Sequence, residues 1–208
     1  MSIIAEREQK LVLVCIYDPL PLQKIWVDRI RQEKLFEIIS ILEENVILLR
    51  NMAKNIESSI QLTRLEYVDS NNSAFDKRNL EIYEKLLQLL PPLRVKAIGI
   101  NLNYTITRDD DKIASEFVRD KFLKDKDILQ NLLGNKILGN STRIFYGEPT
   151  DHFDIRINPV DLIGKEIGVA IHKHKDIDIA DQNLLVKTTM DLLFKTCQEN
   201  VKIKNNLF

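Results

Sequence analysis

Glycine is scarce in this chain, with six residues, at positions 99, 134, 139, 147, 164 and 168, among 208. Neither a G-x-G-x-x-G turn nor a G-x-x-x-x-G-K-[ST] loop can be assembled from them, which excludes the two commonest phosphate-cradling loops. Cysteine is scarcer still. Cys15 and Cys197 each sit in an apolar segment and form no CxxC, so they read as two buried thiols in a reducing compartment. Neither sign of charge is in excess: 30 basic residues face 31 acidic ones, and the two are interleaved. A nucleic-acid binder carries a basic stripe. Here Lys121, Lys124 and Lys126 are diluted by Asp120, Asp125 and Asp127, Lys173 and Lys175 are followed by Asp176 and Asp178, and Lys202 and Lys204 stand alone. These read as solvated faces, and nucleic acid is not the expected partner. Long apolar runs are missing too. Leu11 to Ile16 is too short for a secretory signal, and nothing approaches the roughly 18–20 apolar residues of a membrane span, so a cytoplasmic protein with no membrane partner is expected.

Apolar residues make up 44% and charged residues 29%, enough for a packed core. A chain above about 150 residues buries roughly 70% of its unfolded surface. Residues 10–17, KLVLVCIY, read as a strand stopped by Asp18-Pro-Leu-Pro21. From Leu22 to Leu42 the apolar period becomes helical, and one bent or two consecutive helices are predicted. Residues 45–50 fit helix or strand, and 59–68 read as one extended segment. The polar run 69–73 caps a helix predicted over 74–90, which Pro91-Pro92 ends.

The clearest element is 93–107, where Ile98, Ile100, Leu102, Tyr104 and Ile106 alternate with Gly99, Asn101, Asn103 and Thr105. This is a half-buried strand, longer than the usual run of roughly 3–10 residues. Asp109, Asp110 and Asp111 resemble a metal-binding run but read as a helix cap. Two shorter helices follow, the second ended by Gly134; then come strands at 142–147, 152–159 and 165–174, and a long helix from 181 to about 200 with Leu185, Thr189, Leu192, Leu193 and Thr196 inward.

No internal repeat is visible, and helices and strands do not alternate regularly. The expectation is therefore one α+β domain over residues 1–208. Its sheet is mostly antiparallel, of about five to seven strands, with helices packed on one face, including the long C-terminal helix. This order, an N-terminal strand, helices, a meander and a closing helix, resembles the helix-grip fold, and the resemblance implies a ligand cavity between sheet and last helix.

All three histidines, His152, His172 and His174, fall in the last two strands. A simple hairpin turning over Val160 to Gly164 sets 152 opposite 172. Phe153, Ile155, Ile157, Ile167, Val169 and Ile171 then share one face; His152, Asp154, Arg156, Asn158, Glu166, His172 and His174 share the other. Imidazoles two apart on a strand can ligate one ion, so His152, Asp154, His172 and His174 are the candidate metal ligands, set against the plainer reading of a solvated sheet face. Asn101, Asn103 and Arg156 are the candidates for holding a ligand or a partner chain. Serine catalysis has no glycine elbow, and no cofactor signature is present.

With no catalytic constellation, the chain reads as a non-catalytic interaction protein. It would be a subunit or adaptor that binds another protein chain, or itself, through its sheet or its long strand. The alternatives are a small-ligand-binding module of helix-grip type and a metal-dependent hydrolase using the histidine face.

Overall fold

The computed structural model describes residues 3–17, 24–42, 46–71, 77–110, 112–134, 136 and 138–207. In chain order its elements are β1 (Ile3–Tyr17), α1 (Lys24–Gln32), β2 (Ile38–Leu42), β3 (Val46–Asn51), β4 (Ile56–Ile60), β5 (Arg64–Asp69), α2 (Lys77–Leu89), β6 (Leu93–Thr107), α3 (Ala114–Phe122), α4 (Lys126–Leu133), β7 (Thr142–Glu148), β8 (Asp151–Pro159), β9 (Glu166–Ile179) and α5 (Gln182–Leu207). The chain is α+β, and its nine strands form a single antiparallel sheet ordered β2-β3-β4-β5-β1-β6-β9-β8-β7.

Nine strands exceed the expected five to seven, for two local reasons. The helical period from Leu22 to Leu42 breaks after Gln32, where Lys34 takes a positive φ of 52°, and Ile38–Leu42 becomes β2. The segment 59–68 is not one strand. Gln61 N donates to Arg64 O at 2.8 Å, closing a tight turn that separates β4 from β5. The start of the predicted helix 74–90, up to residue 76, and Asp111 of the acidic run lie outside the described residues. Asp110 pairs with Arg108, and the N-cap of α3 is Ile113, with no side-chain cap hydrogen bond. Gly134 ends α4 in the left-handed conformation, φ 66°, as the sequence implies.

The strand order also carries a repeat that the sequence conceals. A first half, β1-α1-β2-β3-β4-β5-α2, lays its strands as β2-β3-β4-β5-β1. A second half, β6-α3-α4-β7-β8-β9-α5, lays its strands as β6-β9-β8-β7, and the halves join where β1 and β6 pair antiparallel. By position β6 answers to β1, β9 to β5, β8 to β4 and β7 to β3. The second half has no counterpart of β2 among the described residues.

The long strand β6 has the predicted bounds but is not left unpaired. It lies at the centre, with β1 along one side from Leu93 to Thr107 and β9 along the other from Val95 to Thr107. Self-association through free backbone groups of 93–107 therefore loses its basis. The free edges of the sheet belong to β2 and β7.

One face of the sheet carries the helices. Ile98, Ile100, Leu102, Tyr104 and Ile106 point there and are buried. They pack in one core with Leu11 and Leu13 of β1, Leu86 and Leu87 of α2, Val118 of α3 and Leu185, Leu192 and Leu193 of α5. Each such side chain contributes about 1.5–3 kcal/mol of transfer free energy. Leu185, Leu192 and Leu193 of α5 pack into this core, on the side where a helix-grip resemblance would put a cavity. A register shift between Val95 and Ala97 switches faces, so Leu93 and Val95 join the core, while the opposite face bears the odd-numbered residues of β6 from Ala97 to Thr107 and, among the described residues, no helix of this core.

Candidate functional site

The open face is built by alternation. In the β8–β9 hairpin the polar and apolar sets separate as the sequence implies, with Ile155, Ile157, Ile167, Val169 and Ile171 buried against the helices. The register differs by two residues. His152 stands opposite His174 and Asp154 opposite His172, where the simple hairpin set 152 against 172. The cause lies in the connecting loop. The loop is wider than the simple hairpin, closed by Val160 N donating to Glu166 O at 2.8 Å, and it is held from elsewhere, Lys165 O accepting from Arg108 N at 3.1 Å and Gly164 O from Ala114 N at 2.8 Å. A shift of two preserves every residue's face.

Asn101, Asn103, Asp154, Arg156, Ala170, Ile171 and His172 line a cleft of about 350 Å³ on this face. The hollow exists because Ala170, directly opposite both Asn103 and Arg156, is too small to fill the space between them. Sequence reasoning thus named five of the seven lining residues as site candidates, though with separate roles, and gave Ile171 to the core.

Asp154 is only 5% exposed. Arg143 of β7 holds both its oxygens, at 2.9 and 2.8 Å, and Arg156 donates to it at 3.1 Å. The Arg143 hydrogen bonds, more than the desolvation opposing them, hold its carboxyl down at about 2. His172 Nδ1 lies 2.7 Å from Asn101 Oδ1. An amide oxygen only accepts, so Nδ1 carries the proton and donates, leaving Nε2 a lone pair in the neutral ring. Burial, and next the neighbouring His174, lower the His172 pKa and favour that neutral ring.

The other two histidines lie beside the cleft. Rings of His152 and His174 are 5.1 Å apart and those of His172 and His174 6.2 Å. They do not share a ligand point. His152 Nδ1 bonds Pro149 O, His174 Nε2 bonds Asp176, and Asp154 is engaged by arginines. Among the described residues no three His, Cys, Asp or Glu side chains are placed to hold a metal ion. Lys173, read from sequence as solvated, points to the helix side instead, reaching Asp151 and lying 4.4 Å over the Phe153 ring.

The cleft adjoins the sheet edge formed by β7. Ile144, Phe145 and Tyr146 are 39%, 57% and 38% exposed. Tyr146 stacks on Phe153 at 5.0 Å and donates to Glu199 of α5, while Arg143 lies over the Phe145 ring at 4.3 Å. Gly147, φ 110°, begins the turn into β8, where a Cβ would stand 2.5 Å from the Asp151 carbonyl oxygen. Sequence reasoning placed the strand but passed over Arg143 and Phe145. The available signal was that 142–148 has large apolar side chains on both faces, which suits an edge whose neighbour is missing.

No protein-family model matches the chain, and no curated protein matches it. Among solved structures it is similar to "Methanococcus jannaschii TBP", 8% identical over 92% of this chain and 98% of that one, with a TM-score of 0.38. A likeness that slight carries no argument about fold or function.

Proposed function

We propose that this is a non-catalytic interaction protein that accepts a strand from another chain along β7, and that the other chain is a second copy. The observation behind this reading is the vacant outer position. In the first half β2 covers β3, whereas β7, which answers to β3, has no strand beyond it among the described residues. Edge strands that stay free in solution are guarded by lysine, proline or a bulge. No lysine or proline lies within β7, its pairing with β8 has no register shift, and its one internal charge, Arg143, is held by Asp154.

The sequence of β7 suits its own antiparallel copy. Centred on Phe145, such a pairing sets Ile144 against Tyr146, Phe145 against itself, Arg143 against Gly147 and Thr142 against Glu148. It also brings the basic end of each strand to the acidic end of the other. Opposed apolar pairs of this kind stabilise by about 0.2–1 kcal/mol each. A symmetric pairing closes on itself and consumes both free edges. The other edge, β2, is shorter, five residues against seven, and ends a half whose five strands are complete.

A Phe145→Cys variant in a Cys197→Ser background tests the register. The two introduced thiols, one from each copy, would face each other across the two-fold axis and form an intermolecular disulfide under mild oxidant. No disulfide there, in a protein whose circular dichroism is unchanged, would contradict the reading.

A further inference from the structure

The cleft on the open face is chemically distinct from the β7 edge and carries its own conclusion. Its hydrogen-bonding capacity is largely unspent. Among the described residues the Asn103 amide engages no partner, Asn101 uses only its oxygen, and His172 uses only Nδ1. Arg156 donates through one nitrogen to Asp154 and leaves the rest of its guanidinium edge open. This inventory is rich in donors: two amide NH₂ groups and a guanidinium, against one amide oxygen and one imidazole lone pair. Within the wall two guanidiniums, Arg143 and Arg156, stand against the one carboxylate of Asp154, with Glu8 of β1 opposite Asn103 at the far side, and burial favours the neutral form of His172.

We propose that this cleft binds a carboxylate that bears a neighbouring hydroxyl. The carboxylate is seated on Arg156 and the amides of Asn101 and Asn103, and its hydroxyl donates to His172 Nε2. Each part of the ligand follows from a group on the wall. A guanidinium edge matches the two oxygens of a carboxylate. A proton-free Nε2 requires a donor opposite it. The volume, about 350 Å³, admits a ligand of roughly ten water-sized groups, at the small end of natural ligand sites. Phosphate fits less well, because a single half-engaged arginine and no helix N-terminus face the hollow.

The same carboxylate chemistry could reach the cleft on a free molecule or on an acidic residue of a partner chain, and the test separates the two. The full chain, labelled with ¹⁵N, is titrated with L-malate, with succinate, with glycerol and with an acetyl-Ser-Glu-amide peptide. Imidazole and side-chain amide resonances are followed, and His172 is assigned through His172→Gln. Malate is expected to shift the His172, Asn101 and Asn103 signals saturably and succinate to bind several-fold more weakly. Both responses are expected to fall at least tenfold in Arg156→Gln, whose half-exposed side chain can be replaced without loss of fold. Saturation by the peptide with none by malate would assign the carboxylate to a partner chain and keep the site. Equal shifts with glycerol, an unchanged response in Arg156→Gln, or no saturable shift with any carboxylate would overturn the proposal.

Discussion

Arg143 reaches diagonally across the β7–β8 ladder to Asp154 as a two-pronged ion pair, with both carboxylate oxygens within 2.9 Å of guanidinium nitrogens. The pair ties the outermost strand of the second half to its neighbour. It also keeps the one charge in the interior of β7 folded back over the open face. The Asp154 carboxyl, ordinarily near 3.9, titrates at about 2 here. A depressed pKa contributes stability that is present above the unfolded value and is lost as pH falls through the folded one. Asp154→Asn should therefore lower the urea midpoint at pH 7 by the equivalent of about 1 kcal/mol or less, since both guanidiniums are half exposed and solvent screens them. The gap to the parent should close as pH is taken down to about 2. An equal gap at both ends of that range would show that the aspartate acts by packing alone.

The parts of the fold governed by strong local periodicity were legible in the sequence. Residues 98–106 alternate without a break, so strand β6 and its buried set, Ile98 to Ile106, could be read directly, whereas the change of phase after Val95 could not. Alternation likewise divided Phe153–Ile171 from His152–His174 across the last hairpin. The rest depended on contacts distant in sequence. The two-residue register shift goes with a loop held from another part of the chain, Lys165 O by Arg108 N and Gly164 O by Ala114 N. Strand β2 was hidden because Ile38, Ile39 and Leu42 fit a helical stripe as well as a strand, and only the turn at Lys34 decides. The cleft was half legible. Its residues could be named one by one, but what makes it a hollow is Ala170 lying between Asn103 and Arg156, and that depends on strand order. The two-fold repeat has no counterpart in residue identity.

Core and open-face positions should respond very differently to truncation. Ile100 is fully buried in the central strand, opposite Leu11. Ile100→Ala should cost about 2–5 kcal/mol in urea unfolding, through lost burial and the cavity left behind. Val14, on the open face of the neighbouring strand and 44% exposed, is the contrast; Val14→Ala should stay within about 0.5 kcal/mol. Similar losses at both positions would mean that the open face is not open.

The central claim is that β7 pairs with the β7 of a second copy, and sedimentation velocity of the full chain over the micromolar range tests it most directly. The parent chain is expected to sediment as a dimer that dissociates on dilution. Phe145→Lys, which replaces an exposed side chain and sets two like charges face to face at the two-fold axis, is expected to sediment as a folded monomer with an unchanged thermal transition. A parent chain that stays monomeric throughout would contradict the account. So would a dimer that persists in Phe145→Lys, or an unlimited ladder of oligomers, which would signal β7 joined to β2.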